Sequence, residues 1–257
     1  MNATSDLSGR VALVTGSARR TGRVLARKLA EAGASVCVNA RRSKNEAEAV
    51  AREIEAAHGA GRAIAVLADV SDPKAVEAMV AATVERFGRL DILVNNASIR
   101  RHGALESIDL EDWHDILHTT LDGTFLCSRA AAPHMEKQGG GTIVNIGGVS
   151  AHTGARNAAA VITAKAGLIG LTRALAHDLG PKGITVNCVA PASMIAPDDD
   201  PQRIEQLKAF YRQESVPLGR TGTVDEVAEA IVALCGPAWR YMTGQVIHIN
   251  GGVFFGT

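Results

Sequence analysis

Short runs of β-branched and apolar residues alternate along this chain with longer, alanine-rich segments whose apolar positions recur at helical spacing. The short runs are Val11 to Thr15, Ser35 to Asn39, Ala63 to Leu67, Ile92 to Asn95, Thr142 to Ile146, Thr185 to Val189 and Val246 to Ile249, and they predict strands. Between them, Gly22 to Ala32, Ser43 to His58, Pro73 to Phe87, Leu110 to Glu136, Ala158 to Leu179 and Val224 to Cys235 predict helices. This alternation predicts an α/β fold, a doubly wound, seven-stranded parallel sheet with helices on both faces.

The punctuation agrees with these elements. Gly33, Gly59, Gly88 and Gly180 follow helical runs as C-caps, while Ser71-Asp72-Pro73 and Thr223-Val224-Asp225-Glu226 have the composition of N-terminal caps. No low-complexity linker or internal repeat interrupts the chain, so residues 1–257 read as one domain. The least regular stretch, Ala190 to Pro217, holds Pro191, Pro197, Asp198-Asp199-Asp200 and Pro201. Too polar for a sheet element, it predicts a substrate flap over about residues 190–217 with a short helix around Ile204 to Arg212.

Composition narrows the classes of partner. The chain has 257 residues, 46% of them hydrophobic, enough for one large core. Its 27 basic and 27 acidic side chains cancel, which gives no bulk electrostatic reason to expect nucleic acid or an anionic membrane; a small-molecule ligand fits better. No apolar run approaches the ~20 residues needed to span a bilayer, and the first ten residues lack a signal-peptide core, so the expectation is a cytoplasmic protein. Cys37, Cys127, Cys188 and Cys235 form no Cys-x-x-Cys pair and are expected to be buried and reduced. His114 and His118 lie one helical turn apart without a His-Glu-x-x-His pattern, so a solvated helix face is expected and no metal site.

The candidate chemistry begins at Val11-Ala12-Leu13-Val14-Thr15-Gly16-Ser17-Ala18-Arg19-Arg20-Thr21-Gly22-Arg23, a glycine-bearing turn between the first strand and the first helix. Backbone N–H groups at a helix start, with the positive end of the helix dipole, suit a pyrophosphate, which makes Gly16, Ser17, Arg19, Arg20, Thr21 and Gly22 candidate cofactor-binding residues. The second strand ends Val38-Asn39-Ala40-Arg41-Arg42, basic where a carboxylate would bind a free ribose 2′-hydroxyl. Arg41, with Arg19, can pair with a 2′-phosphate instead, which predicts NADP(H) over NAD(H).

The stretch Asn157-Ala158-Ala159-Ala160-Val161-Ile162-Thr163-Ala164-Lys165-Ala166-Gly167-Leu168 resembles the active-site helix of the short-chain dehydrogenase/reductase family, whose signature is Tyr-x-x-x-Lys. The glycine turn is similar to that family's Thr-Gly-x-x-x-Gly-x-Gly, with Arg20 at the middle glycine. The form Thr-Gly-x-x-x-Arg-x-Gly resembles the family's pteridine reductases, in which the arginine reaches both cofactor phosphate and substrate. Ala68-Asp69-Val70-Ser71 and Asn95-Asn96-Ala97-Ser98 look like two further cofactor segments. The resemblance implies that Asp69 bonds the adenine amino group and Val70 packs on the ring, and that Asn95 and Ala97 support the central strand and the adenosine ribose. It runs through Met242 to Gly252, covering nearly the whole chain, and implies a Rossmann fold and a homotetramer built through the two long helices.

The reacting end departs from the family pattern. Val161 stands where the resemblance expects Tyr, Gly148 where it expects Ser, Thr120 where it expects Asn, and Ala196 in place of a nicotinamide-holding Thr; Lys165 is retained. Gly148, Val161, Arg156 and Arg100 are candidate substrate-lining residues, and the arginines, with Arg101 and His102 nearby, suit an anionic substrate group. His152 is the first candidate for a substitute acid because an imidazole titrates near neutrality. The resulting expectation is an NADP(H)-binding oxidoreductase of atypical mechanism, acting on a small polarised C=O, C=N or quinone-like substrate. Two alternatives stay open: a cofactor-binding pseudoenzyme or partner subunit, in a mixed oligomer with an active relative, and a non-redox dehydratase, isomerase or lyase on the same fold.

Overall fold

The computed structural model describes residues 6–210 and 216–256. Its seven-stranded sheet comprises β1 (Val11–Val14), β2 (Ser35–Ala40), β3 (Ala63–Leu67), β4 (Ile92–Asn95), β5 (Gly141–Ile146), β6 (Ile184–Pro191) and β9 (Val246–Ile249), in the order β3-β2-β1-β4-β5-β6-β9. Every pairing is parallel. Val14 lies opposite Val38 on one side and Val94 on the other, so β1 is the strand from which the order runs both ways. The loops beyond its carboxyl end therefore diverge and leave a crevice, the usual ligand position in open α/β sheets.

The strand period of two divides the core. Ala12, Val14, Val36, Val38, Val94 and Val144 pack with α1 (Arg20–Glu31), α2 (Lys44–His58) and α9 (Val224–Leu234). Val11, Leu13, Cys37, Leu93, Ile143 and Val186 face α3 (Pro73–Phe87), α5 (Gly123–Lys137) and α7 (Ala159–Leu179). All four cysteines are buried free thiols. The expected caps at two helix starts are present: Asp72 accepts from the N–H of Lys74 at 2.9 Å, and Thr223 and Glu226 form a reciprocal capping box.

Several expectations need correction. Gly180 is not a left-handed C-cap; its φ is −54°, the chain continues into a 3₁₀ turn, and Gly183 (φ 72°) makes the reversal. The predicted helix from Leu110 to Glu136 is α4 (Leu110–Leu117) and α5 joined by a π-helical turn, His118–Asp122. The segment after β6 is not devoid of sheet structure: β7 (Met194–Ile195) pairs in parallel with β8 (Gly222–Thr223). The flap helix α8 (Pro201–Phe210) starts before Ile204, and Tyr211 and Arg212 lie outside the described residues. α7 and the following turn, Ala159–Lys182, are long and apolar enough to cross a membrane, with a mean hydropathy of 1.4, contrary to the expectation of no such run. Here α7 packs on β6 and carries buried Lys165 and Thr172 into the polar interior.

That interior holds a chain of buried hydrogen bonds. Thr124 Oγ1 donates to the carbonyl of Thr120 (2.7 Å), Ser128 Oγ to that of Thr124 (2.7 Å), and Asn95 Nδ2 to Ser128 Oγ (3.2 Å) and Asn145 Oδ1 (2.9 Å). Asn145 Nδ2 in turn donates to Thr172 Oγ1 at 2.9 Å. These bonds tie the π-turn, β4, β5 and α7 together beneath the cleft. Asn145→Ala removes two of them and leaves Asn95 Nδ2 only its longer bond to Ser128 Oγ, at an expected cost of about 2 to 3 kcal/mol. Thermal denaturation should show a midpoint lower by several degrees; an unchanged midpoint would mean that the chain contributes nothing.

Candidate functional site

The exit of β1 runs very close to the start of α1. A Cβ on Gly22 would meet the Gly16 carbonyl oxygen at 2.4 Å and Asn96 Nδ2 at 2.7 Å, so glycine alone fits. Gly16 (φ 61°) turns the chain, with its N–H donating to Asn39 Oδ1 at 3.1 Å. Asn96 Nδ2 donates to the carbonyls of Thr15 (2.9 Å) and Gly16 (3.0 Å). Arg20 takes a left-handed conformation (φ 49°), a cost for any side-chain-bearing residue of about 1 to 2 kcal/mol. The N-cap of α1, Arg19, makes no side-chain capping bond, so the first-turn N–H groups remain for an anion.

One cavity of about 990 Å³ runs along this turn. At one end it is lined by Arg41, Asp69 and Val70, in the middle by Gly16, Arg19, Arg20, Thr21 and Gly22, and at the other end by Ala97, Ser98 and Arg100. Arg101 and His102 also border it. Arg41 Nε pairs with Asp69 Oδ2 at 2.9 Å, and Arg41 also meets Asp115 at 3.4 Å. Burial would raise the Asp69 carboxyl, but bonds from Ser71 and the charges of Arg41 and Arg42 hold it below the usual range. The residues fit a phosphorylated dinucleotide: a glycine-only cradle with free N–H groups in the middle, and at the adenosine end an arginine and a carboxylate now engaged with each other. Ser17 and Asn95 line no part of this cavity. Ser17 Oγ donates to the Val14 carbonyl at 2.7 Å, and Asn95 anchors β4 from below.

Lys165, Gly148, Val161 and Thr120 line no part of this cavity; Thr120 is buried in the π-turn behind it, where its hydroxyl donates to Ser98 Oγ at 3.3 Å. Gly148 follows β5 with room for a side chain, since a Cβ there would have only Ser150 Oγ nearby, at 3.8 Å. Val161 is 7% exposed and packs with Ile116, Ala160 and Ala164 against Ile99 and Trp113, so it faces an apolar cluster more than open space. Lys165 is buried, and its Nζ donates to the Ile146 carbonyl. Burial and, secondarily, the Arg100 charge lower its pKa to about 7. Arg156 is exposed on the loop before α7 and does not line the cavity.

His152 is placed elsewhere. Its ring stacks on Phe254 (4.9 Å between centroids) and meets His248 edge-on (4.7 Å), lining a second cavity of about 820 Å³ with Arg173 and His177. Burial and the Arg173 charge lower its pKa. It lies on the short helix α6 (Ser150–Thr153) and lines no part of the cavity along the glycine turn. Two residues that sequence reasoning left without a role do matter. Asn39 joins the turn to β3 by donating to the Val66 and Ala68 carbonyls. Asp199, one of the acidic run, has a fully buried side chain that accepts from Arg20, from Arg203 Nε at 2.8 Å and from the Ala196 N–H at 2.8 Å. Polar residues at the end of a buried strand and inside a flap are the signals that could have found them.

A family model described as enoyl-(acyl carrier protein) reductase matches residues 16–254. The chain is 40% identical over 243 residues to the 3-oxoacyl-[acyl-carrier-protein] reductase FabG of Staphylococcus aureus, covering 95% of this chain and 97% of that one. It is 40% identical over 249 residues to the (2S)-[(R)-hydroxy(phenyl)methyl]succinyl-CoA dehydrogenase subunit BbsD of Thauera aromatica, covering 96% and 97%. A crystal structure of a dehydrogenase/reductase from Sinorhizobium meliloti 1021 superposes with a TM-score of 0.88 at 34% identity, covering 98% of each chain.

Lys165 has a pH signature. Its native pKa is about 7 against 10.5 for an ordinary lysine, so between those values the unfolded chain holds a proton that the native one lacks. Its contribution penalises the fold fully below about pH 7 and is relieved as pH rises toward 10.5. Denaturant unfolding across that window should show wild type gaining stability relative to Lys165→Met as pH rises. A difference independent of pH would contradict a buried lysine that titrates near neutrality.

Proposed function

The chain belongs to the short-chain dehydrogenase/reductase family, and on that premise we propose that it is an NADP(H)-dependent oxidoreductase of atypical mechanism. Its substrate is a small molecule with an already polarised C=O, C=N or quinone-like group. The observation that carries this reading is the continuous cavity from Arg41 and Asp69, past the glycine-only cradle, to Ser98 and Arg100. Relatives named as 3-oxoacyl-[acyl-carrier-protein] reductases support carbonyl reduction as the reaction class. The same relatives support a cytoplasmic setting, and we propose a homotetramer.

When bound, such a dinucleotide supplies a hydride to an electron-poor carbon. The first turn of α1 would hold its diphosphate. Arg41 would hold the 2′-phosphate, and Asp69 the adenine amino group. Val161 cannot move a proton, and His152 opens into the second cavity. Lys165, buried at the exit of β5 with its Nζ on the Ile146 carbonyl, would place the cofactor, and the proton would come from the substrate or a nearby side chain. General acid catalysis contributes ~10²–10⁴-fold, so a less well placed acid favours substrates that are polarised beforehand.

A second reading is favoured by the packing of Val161 against Ile99 and Trp113, which leaves little open space at that position. In it, the chain binds cofactor as one subunit of a mixed oligomer with an active relative; BbsD is itself named as a subunit. Affinity purification from the native cell would recover that relative, and recovery of the homo-oligomer alone would count against it.

NADPH oxidation measured against carbonyl, imine and quinone acceptors tests the first reading. Turnover of at least one acceptor is expected; no turnover across the panel would overturn it. The triple variant Gly148→Ser, Thr120→Asn, Val161→Tyr should gain activity on simple ketones, by up to ~10²-fold or more if the phenol acts as acid. No gain in a folded, NADPH-binding variant would mean that the reacting end is remodelled beyond these three positions.

A further inference from the structure

Arginines from three separate elements converge on the far half of the cleft. Arg20 comes from the glycine turn, Arg100 from the segment after β4, and Arg203 from α8, and all three line the one cavity. The carboxylate among them is Asp199, which bonds Arg20 and Arg203 and has a fully buried side chain. The other acidic groups near the cleft are spent elsewhere. Asp69 and Asp115 hold Arg41, Asp112 and Asp115 hold Arg101, and Asp200 accepts from the Arg203 backbone N–H.

Arg100 has no hydrogen bond or ion pair with any described residue. It is exposed in the cleft, within reach of the charges of Arg20 and Arg203. Its own charge bears on Lys165. It therefore stands between the flap, the glycine turn and the retained lysine, in a neighbourhood with more positive than negative charge. Thr119, 6% exposed, lines the same cavity with a buried hydroxyl that has no partner.

Two anions could balance this excess. One is the dinucleotide's diphosphate, which the first turn of α1 and Arg20 would hold. The other belongs to the substrate. Arg100 and Arg203 remain after the diphosphate is assigned, and a pair of guanidinium groups suits a planar carboxylate through paired, charge-assisted hydrogen bonds. Resting on the oxidoreductase reading of this cleft, we infer that its substrate is an anion, an oxo acid or the corresponding imine, whose carboxylate is held by Arg100 with Arg203 beside it. Asp199 fixes Arg203 at the flap, so anion recognition and flap position are joined through one carboxylate.

The test uses NADPH-saturated full-length protein and matched pairs of probes titrated calorimetrically: pyruvate, acetoacetate and benzoylformate, each against its methyl ester. At least one acid should bind about tenfold or more tightly than its ester. Arg100→Gln should bring that acid to the level of its ester while changing NADPH affinity less than about twofold, and Arg100→Lys should restore part of the preference. Arg203→Gln should weaken the acid less, because Asp199 shares that guanidinium. If no acid is preferred to its ester, or if Arg100→Gln weakens NADPH about tenfold and leaves the acids untouched, the inference fails and the arginine serves the dinucleotide. Failure of wild type to bind NADPH at all would instead remove the oxidoreductase reading on which it rests.

Discussion

The cleft depends on how closely the chain leaving β1 passes the chain entering α1. With a Cβ excluded at Gly22 by the Gly16 carbonyl at 2.4 Å, the helix start and the strand exit share one small volume. That contact directs the first-turn N–H groups of α1 into the crevice. It also brings Asn96 against the carbonyls of Thr15 and Gly16, so the turn after β4 is fixed to the turn after β1. Arg20 occupies a backbone conformation in which glycine would be unstrained. Its ion pair with the buried Asp199 offsets that strain and carries the geometry across to the flap.

The two ends of the cavity are furnished differently. Arg41, Asp69 and Val70 give the adenosine end a cation, a carboxylate and an apolar surface. The other end, in the proposed reading, has Gly148, Val161 and Thr120 nearby, and one of these, Val161, packs into an apolar cluster. What persists there is cationic: Lys165 on the Ile146 carbonyl, with the Arg100 charge beside it. A site built this way binds and orients more readily than it donates protons, which is why the proposed substrates are polarised beforehand and carry their own negative charge.

The sheet was legible in the sequence because its strands are short buried runs that only a parallel layer accommodates. Ala63–Leu67, Ile92–Asn95 and Val246–Ile249 have the limits that the pattern predicts. Helix limits moved where the backbone does something that pattern does not encode: α1 begins at Arg20 because the turn itself enters the helix, and the π-turn at His118–Asp122 lies inside an uninterrupted helical pattern. The glycine turn and Arg41 line one cavity because both sit at the exits of neighbouring parallel strands, β1 and β2. His152 lies away from the glycine turn because the direction of its side chain follows from packing, here on Phe254 and His248, and not from distance along the chain. Asp199 was hidden within three consecutive aspartates, of which it is the one turned inward.

The most direct test of this account is titration of the purified protein with NADPH and with NADH, following cofactor fluorescence and thermal stability together. The account predicts that NADPH binds, raises the denaturation midpoint and is preferred over NADH by about tenfold or more, the scale of a charge-assisted pair between Arg41 and a 2′-phosphate. Binding of neither nucleotide, or preference for NADH, would contradict it.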